Sequence, residues 1–154
     1  MAVTKAVLIA GRSLQAFDRA KLFEGAQGIV KGLVGCKGTA DNQLKILGAS
    51  PAVPFCIFDI QRSHIPMISG KPNSDYAVPG EAIDYIRIQP GVIVRLVLKA
   101  GETVVTDADA FAEYSSGKIV AAAGAGVAVK IGKVEVGLVA GGTDNEVLVR
   151  LGVI

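Results

Sequence analysis

Residues 98–122 read LKAGETVVTDADAFAEYSSGKIVAA, and their pattern indicates the fold class. It turns at Gly101, continues as a short strand, turns again at 115–117 and enters another strand at Ile119. Glycine permits the backbone angles of tight turns, and β-branched residues favour strands. Side chains of catalytic type are almost absent from it. The stretch therefore predicts short strands joined by tight turns, in a protein that acts through its surfaces.

The flanking residues extend the same pattern. Both sides of segment 92–98 are apolar except at Arg95, which predicts a strand covered on both faces. Alternation recurs at 127–131, 134–138 and 147–151, and turn signals follow one another at about the 8–12-residue spacing of all-β folds. The predicted fold is mainly β: a small antiparallel β-barrel or sandwich, with an extended N-terminal region and a proline-rich connecting loop.

Three prolines divide the chain into a front and a back part: Pro66, Pro72 and Pro79. Together with nearby turn-forming residues they argue against a long regular element. We therefore predict an N-terminal arm and β region at 1–62, a proline-rich loop or linker at 63–82, and a C-terminal β-barrel or sandwich at 83–154. Within the front part, the glycines at 25 and 28 predict a hairpin between the flanking apolar pairs 22–23 and 29–30.

Composition excludes several classes of protein. The 154 residues are 51% hydrophobic with a mean hydropathy of +0.47, which is enough apolar material for a core and argues against global disorder. The net charge of +2 is spread evenly, so direct nucleic-acid binding is not expected. No apolar run approaches the length of a membrane span, and the run Ala6–Ala10 is too short for a signal peptide. These features predict a product of the cytoplasm with no membrane contact.

The few reactive residues do not form a recognisable site. Cys36 and Cys56 have no secretory context, which predicts free thiols, and Cys56 lies in an apolar run typical of a core. His64 is the single histidine and lies in the proline-rich loop. The acidic segment 107–113 lacks the glycine and spacing of an EF-hand. We expect no catalytic residue, no metal site and no cofactor, and the chain is not predicted to be an enzyme.

Two alternatives to a structural role have some basis in the sequence. Residues 91–120 are similar to a biotinyl or lipoyl carrier domain, with Lys118 in the place of the modified lysine, although the flanking methionine or aspartate is absent. This carrier or enzyme-accessory β domain is the main alternative, against the interpretation of Lys118 as a solvated turn residue. A glycan-binding module is disfavoured because the chain has no Trp and three Tyr for stacking.

The back part carries a family resemblance over residues 91–154. The matching positions are a glycine-led turn, a G-K-I-V hairpin, an I-G pair and a closing V-x-V-R-L strand: Ala100, Gly101, Glu102, Val104, Asp109, Gly117–Val120, Ile131, Gly132 and Val147–Leu151. In these features the chain resembles the head decoration, or capsid cement, proteins of tailed bacteriophages. The N-terminal part and the proline-rich loop match that family less well.

The resemblance implies a mechanical role. Such a protein would be made in the host cytoplasm, bind the major capsid protein on the outside of the mature head as a homotrimer, and stabilise the shell against internal DNA pressure. An arm at 1–18 would supply apolar contacts with neighbouring subunits. The predicted contact residues are Val7, Leu8, Ile9, Leu14 and Phe17. The alternative for this segment is an edge strand of the chain's own sheet.

Overall fold

A computed structural model describes residues 8–10, 18–25, 29–59, 76–77, 80, 82–122, 124, 126–139 and 141–152. Every regular element in these ranges is a β-strand, which confirms the mainly β prediction. The strands are β1 Leu8–Ala10, β2 Asp18–Phe23, β3 Ile29–Val30, β4 Val34–Lys37, β5 Gln43–Ile46, β6 Cys56–Phe58, β7 Tyr76–Ala77, β8 Ala82–Arg87, β9 Ile93–Leu98, β10 Thr103–Val104, β11 Asp109–Glu113, β12 Ile119–Val120, β13 Ala128–Val136, β14 Leu138–Val139 and β15 Asn145–Leu151. No helix among the described residues is long and apolar enough to cross a membrane.

Strands β2, β5, β4, β6 and β8 close into a small barrel, the N-terminal barrel. All its described pairings are antiparallel except that between β2 and β5, which is parallel. The ladder places Val34 opposite Ile57 and Ile57 opposite Ile86. The predicted boundary at residue 83 assigns β8 to the C-terminal unit, whereas its hydrogen bonds join it to β2 and β6.

The remaining large sheet, the C-terminal sheet, has the order β1-β9-β12-β11-β13-β15. An additional pairing of β9 with β15 closes the sheet on itself. Five strands therefore form a closed cycle of pairings: β9, β12, β11, β13 and β15. Strand β9 is central in this sheet because it pairs with β1, β12 and β15. Side chains on both of its faces are at most 1% exposed: Val94 and Leu96 on one face and Val97 on the other. The prediction that this strand is covered on both faces is confirmed, with Arg95 half-buried.

Two short ladders complete the described structure, β10 with β14 and β3 with β7. The predicted hairpin between 22–23 and 29–30 is therefore wrong. Strand β2 already pairs with β5 along one edge and β8 along the other, so no edge remains for β3. Of the predicted loop 63–82, only residues 76–77, 80 and 82 are described, and His64 lies outside the described residues.

The N-terminal barrel and the C-terminal sheet share one hydrophobic core. Phe58 and Tyr85 of the barrel belong to the same buried cluster as Leu96 and Val149 of the sheet. Among the described residues, three backbone hydrogen bonds also join the two units directly. They run from the N–H of Val34 to the carbonyl of Gly117 (2.9 Å), from Gly48 to Tyr114 (2.7 Å) and from Val97 to Gly32 (3.1 Å). The two units are therefore packed and hydrogen-bonded as one body.

Candidate functional site

The predicted N-terminal contact residues are only partly described. Three of them lie outside the described residues: Val7, Leu14 and Phe17. Leu8 and Ile9 belong to β1, whose backbone pairs antiparallel with β9 in the chain's own sheet. This pairing matches the edge-strand alternative for the backbone of these residues, and the role of all five in subunit contacts stays a prediction.

One candidate site is an open groove of about 770 Å³ at one end of the N-terminal barrel, called the barrel groove below. It lies between the ends of β4 and β5 and the connection 47–55 that leads to β6. Cys36 and Leu47 form buried parts of its lining, whereas Val53 at its lip is 77% exposed. The groove is thus mainly apolar and open to solvent.

An aromatic ring is held in the lining of the barrel groove. The Lys37 ammonium lies 5.1 Å from the centroid of the Phe55 ring, and the Arg87 guanidinium carbon lies 5.2 Å from it. The ring of Tyr85 packs at 6.0 Å between centroids. Cations over an aromatic face are attracted by its quadrupole. These contacts favour one orientation of the Phe55 ring.

Two ammonium groups line the barrel groove. Among the described residues, no carboxylate forms an ion pair with Lys37 or Lys45. The nearby Glu24 instead accepts hydrogen bonds from the hydroxyl and the backbone N–H of Thr39, at 2.7 and 2.6 Å. These bonds, and to a smaller extent the charge of Lys45, lower the pKa of Glu24. The groove therefore presents positive charge beside an apolar surface.

Both cysteines are free, as predicted, and both are buried, although the sequence predicts a core position for Cys56 alone. Gly35 lies opposite Cys56 in the β4–β6 ladder, so the neighbouring Cys36 points to the other face of the barrel wall. This alternation separates the two side chains although their strands are adjacent. Burial raises the pKa of both thiols, which leaves them protonated and poorly nucleophilic.

Lys118 is not a freely solvated turn residue. Its ammonium lies 2.6 Å from Oδ2 of Asp144, and Oδ1 of Asp144 accepts the backbone N–H of Ala100 at 2.9 Å. A ligase must be able to reach a carrier lysine. Here the Lys118 ammonium instead forms an ion pair that connects the turn before β12 to the turn before β15. The geometry favours a structural role for Lys118 over the carrier alternative.

A second carboxylate is similarly engaged in the turn after β11. Glu113 accepts hydrogen bonds from Lys99 at 2.7 Å and from the hydroxyls of Ser115 and Ser116, each at 2.9 Å. Burial raises the pKa of Glu113, but these bonds outweigh it and the net pKa is lowered. In the described part of the chain, no cluster of His, Cys, Asp or Glu could hold a metal ion.

Lowering the pH from 6 to 3 is expected to lower the melting temperature. Burial raises the pKa values of Glu113 and Asp144, but donated hydrogen bonds outweigh it, so both folded values lie below the ordinary 4.5 and 3.8. The unfolded chain thus takes up protons first, so the stabilisation is present above about pH 4.5 and is lost as the pH falls through the folded pKa values.

Circular dichroism melts from pH 3 to 7 measure the change in melting temperature. The Glu113→Gln/Asp144→Asn variant should melt lower at pH 7 and vary less with pH; an unchanged slope would contradict the assignment.

No family model and no curated protein matches this chain. Among solved structures, it is similar to the head fiber gp8.5 N base in bacteriophage phi29, at 11% sequence identity and a TM-score of 0.47. The overlap covers 88% of this chain and 92% of that one.

Proposed function

We propose that this chain is a structural virion protein that binds the outer surface of a mature phage head as a homotrimer. It stabilises the shell against internal DNA pressure. The observation that carries the proposal is the turn-and-strand series of residues 98–120. This series is part of residues 91–154, which resemble the decoration proteins of tailed phages. In this fold it provides the turn at Gly117 that hydrogen-bonds to the N-terminal barrel.

The way the two units are joined supports a mechanical role. A protein that clamps neighbouring capsid subunits must transmit force between its contact surfaces without changing shape. Here three backbone hydrogen bonds and one continuous core connect the N-terminal barrel to the C-terminal sheet. Close-packed interiors have low compressibility and transmit strain. The scaffold is therefore suited to carry load from one capsid contact to another.

Exposed apolar side chains supply surface for such contacts. Val105 and Val136 are 63% and 55% exposed. Their segments adjoin, since a Cβ placed on Gly137 would lie 3.0 Å from the Cα of Val105. Apolar patches of this kind mark association surfaces when they are continuous. This patch is a candidate contact between subunits of the trimer.

Co-sedimentation with expanded, undecorated heads of the phage that encodes the chain tests this function. We expect saturable binding at a fixed number of copies per head, and heads that survive more heating. Light scattering should give a mass three times that of the 15.8-kDa chain. A monomer that does not bind heads would contradict the proposal, and a mass adduct on Lys118 would favour the carrier alternative.

A further inference from the structure

We propose that the barrel groove is the site where the capsid protein docks, and that it binds an acidic segment carrying an apolar side chain. This inference rests on the proposed function, which supplies the partner but does not say which face of the molecule meets it. The groove is distinct from the Val105–Val136 patch, which lies beside the separate β10–β14 ladder.

The size and lining of the barrel groove fit inserted side chains. Its volume of about 770 Å³ is in the range of sites that enclose a ligand or several side chains. Leu47 is 2% exposed at its base, and Val53 at its lip keeps 77% of its surface in water. An apolar side chain entering here would cover Val53 and contact the buried floor. Burial of apolar surface is the main favourable term in association.

The charge of the groove determines the chemistry of the partner. Lys37 and Lys45 have no ion pair with a carboxylate of the described residues, and Lys37 is also positioned by the Phe55 ring. The charge of Glu24 already acts on Lys45, so aspartate or glutamate side chains next to the inserted apolar residue would neutralise Lys37 and the remaining charge of Lys45. Complementary charge of this kind steers association and fixes register. An acidic segment is therefore favoured over a neutral or basic one.

Two other occupants fit less well. A second copy related by a two-fold axis would place lysines against the same lysines, because such an interface uses one patch twice. A copy within the proposed trimer would bring a different face of the chain to the groove, and the self-association measurement below detects it. A nucleic acid would supply negative charge, but single strands bind by stacking on open aromatic faces. Lys37 and Arg87 already lie over the Phe55 ring, at 5.1 and 5.2 Å from its centroid. Both occupants are outcomes that the experiment separates.

The experiment compares two charge-reversed variants in the head-binding assay. Lys37→Glu/Lys45→Glu reverses the groove lysines, and Lys130→Glu/Lys133→Glu makes the same change on the C-terminal sheet, where both lysines lie near Asp109. Circular dichroism melts check that each variant folds. We expect the groove variant to bind undecorated heads at least tenfold more weakly, with a reduced dependence on salt. The control variant should bind as the wild type does.

A second measurement does not depend on any variant. A carbodiimide activates a carboxylate, and the amine of a lysine in direct contact then forms an amide with it and releases the urea. Wild-type protein bound to heads should therefore form cross-links from Lys37 or Lys45 to aspartate or glutamate of the capsid protein. Mass spectrometry identifies the linked peptides. Cross-links from other lysines only would overturn the groove assignment.

The outcomes separate the inference from the proposed function. If the wild type and the groove variant bind heads equally, the groove assignment is wrong while the proposed function stands. If the wild type does not bind, both are wrong. Loss of self-association in the groove variant with unchanged head binding would assign the groove to a second copy. Binding abolished by nuclease would assign it to nucleic acid, and either result overturns the inference.

Discussion

Replacing Gly117 by alanine is expected to lower the free energy of unfolding by about 2–5 kcal/mol. Gly117 has a φ of +72°, a region in which an L side chain costs about 1–2 kcal/mol. A Cβ at this position would lie 2.5 Å from the carbonyl oxygen of Val34 and 3.1 Å from its nitrogen. Neither backbone atom can move without shifting β4, and overpacking of this kind costs about 1–3 kcal/mol. Denaturant unfolding followed by circular dichroism measures the loss.

The matched control is Gly101→Ala. Gly101 has a φ of +82°, but nothing lies within 4 Å of the position that its Cβ would take, so only the conformational cost of about 1–2 kcal/mol applies. The difference between the two variants isolates the contact with Val34. Equal losses would show that the close approach between the turn and β4 contributes nothing to stability.

The same two glycines show what could be predicted from sequence. Turns are local, and a glycine beside polar residues indicates a positive φ without knowledge of the rest of the fold. The strand alternation of β9, β13 and β15 is local in the same sense. The contact between Gly117 and Val34, in contrast, is not local in the sequence. Val34, its partner, is more than eighty positions away in the chain, and nothing in either segment indicates the other.

Strand pairing could not be predicted for the same reason. Residues 29–30 look like the second strand of a hairpin, but the edges of β2 are taken by β5 and β8, which lie far along the chain. The barrel groove was also missed, because it combines Lys37 on β4, Lys45 on β5 and Phe55 before β6. Each residue alone is typical of an ordinary strand end. The one local signal was the apolar Val53 between two nearby prolines, a position that favours exposure.

Replacing Phe58 by alanine is expected to lower the free energy of unfolding by about 3–5 kcal/mol. The side chain is fully buried in the N-terminal barrel, and its ring meets that of Phe23 edge to face at 5.9 Å. The edge of the Phe58 ring also packs against Gly35, in the space that a side chain at position 35 would need. Removing the ring leaves a cavity that these neighbours cannot fill without bending the barrel wall. The matched control is Val53→Ala, which should change stability by no more than about 0.5 kcal/mol because Val53 is 77% exposed.

The same variant tests whether the two units unfold together. Because one core runs through both, the loss at Phe58 should appear in the C-terminal sheet as well. Hydrogen exchange followed by mass spectrometry measures the free energy of opening for each strand. In the variant, the amides of β9 and β15 should lose as much protection as those of β6. If β9 and β15 keep the wild-type protection while β6 loses it, the units open independently, and the rigid connection on which the clamp depends is absent.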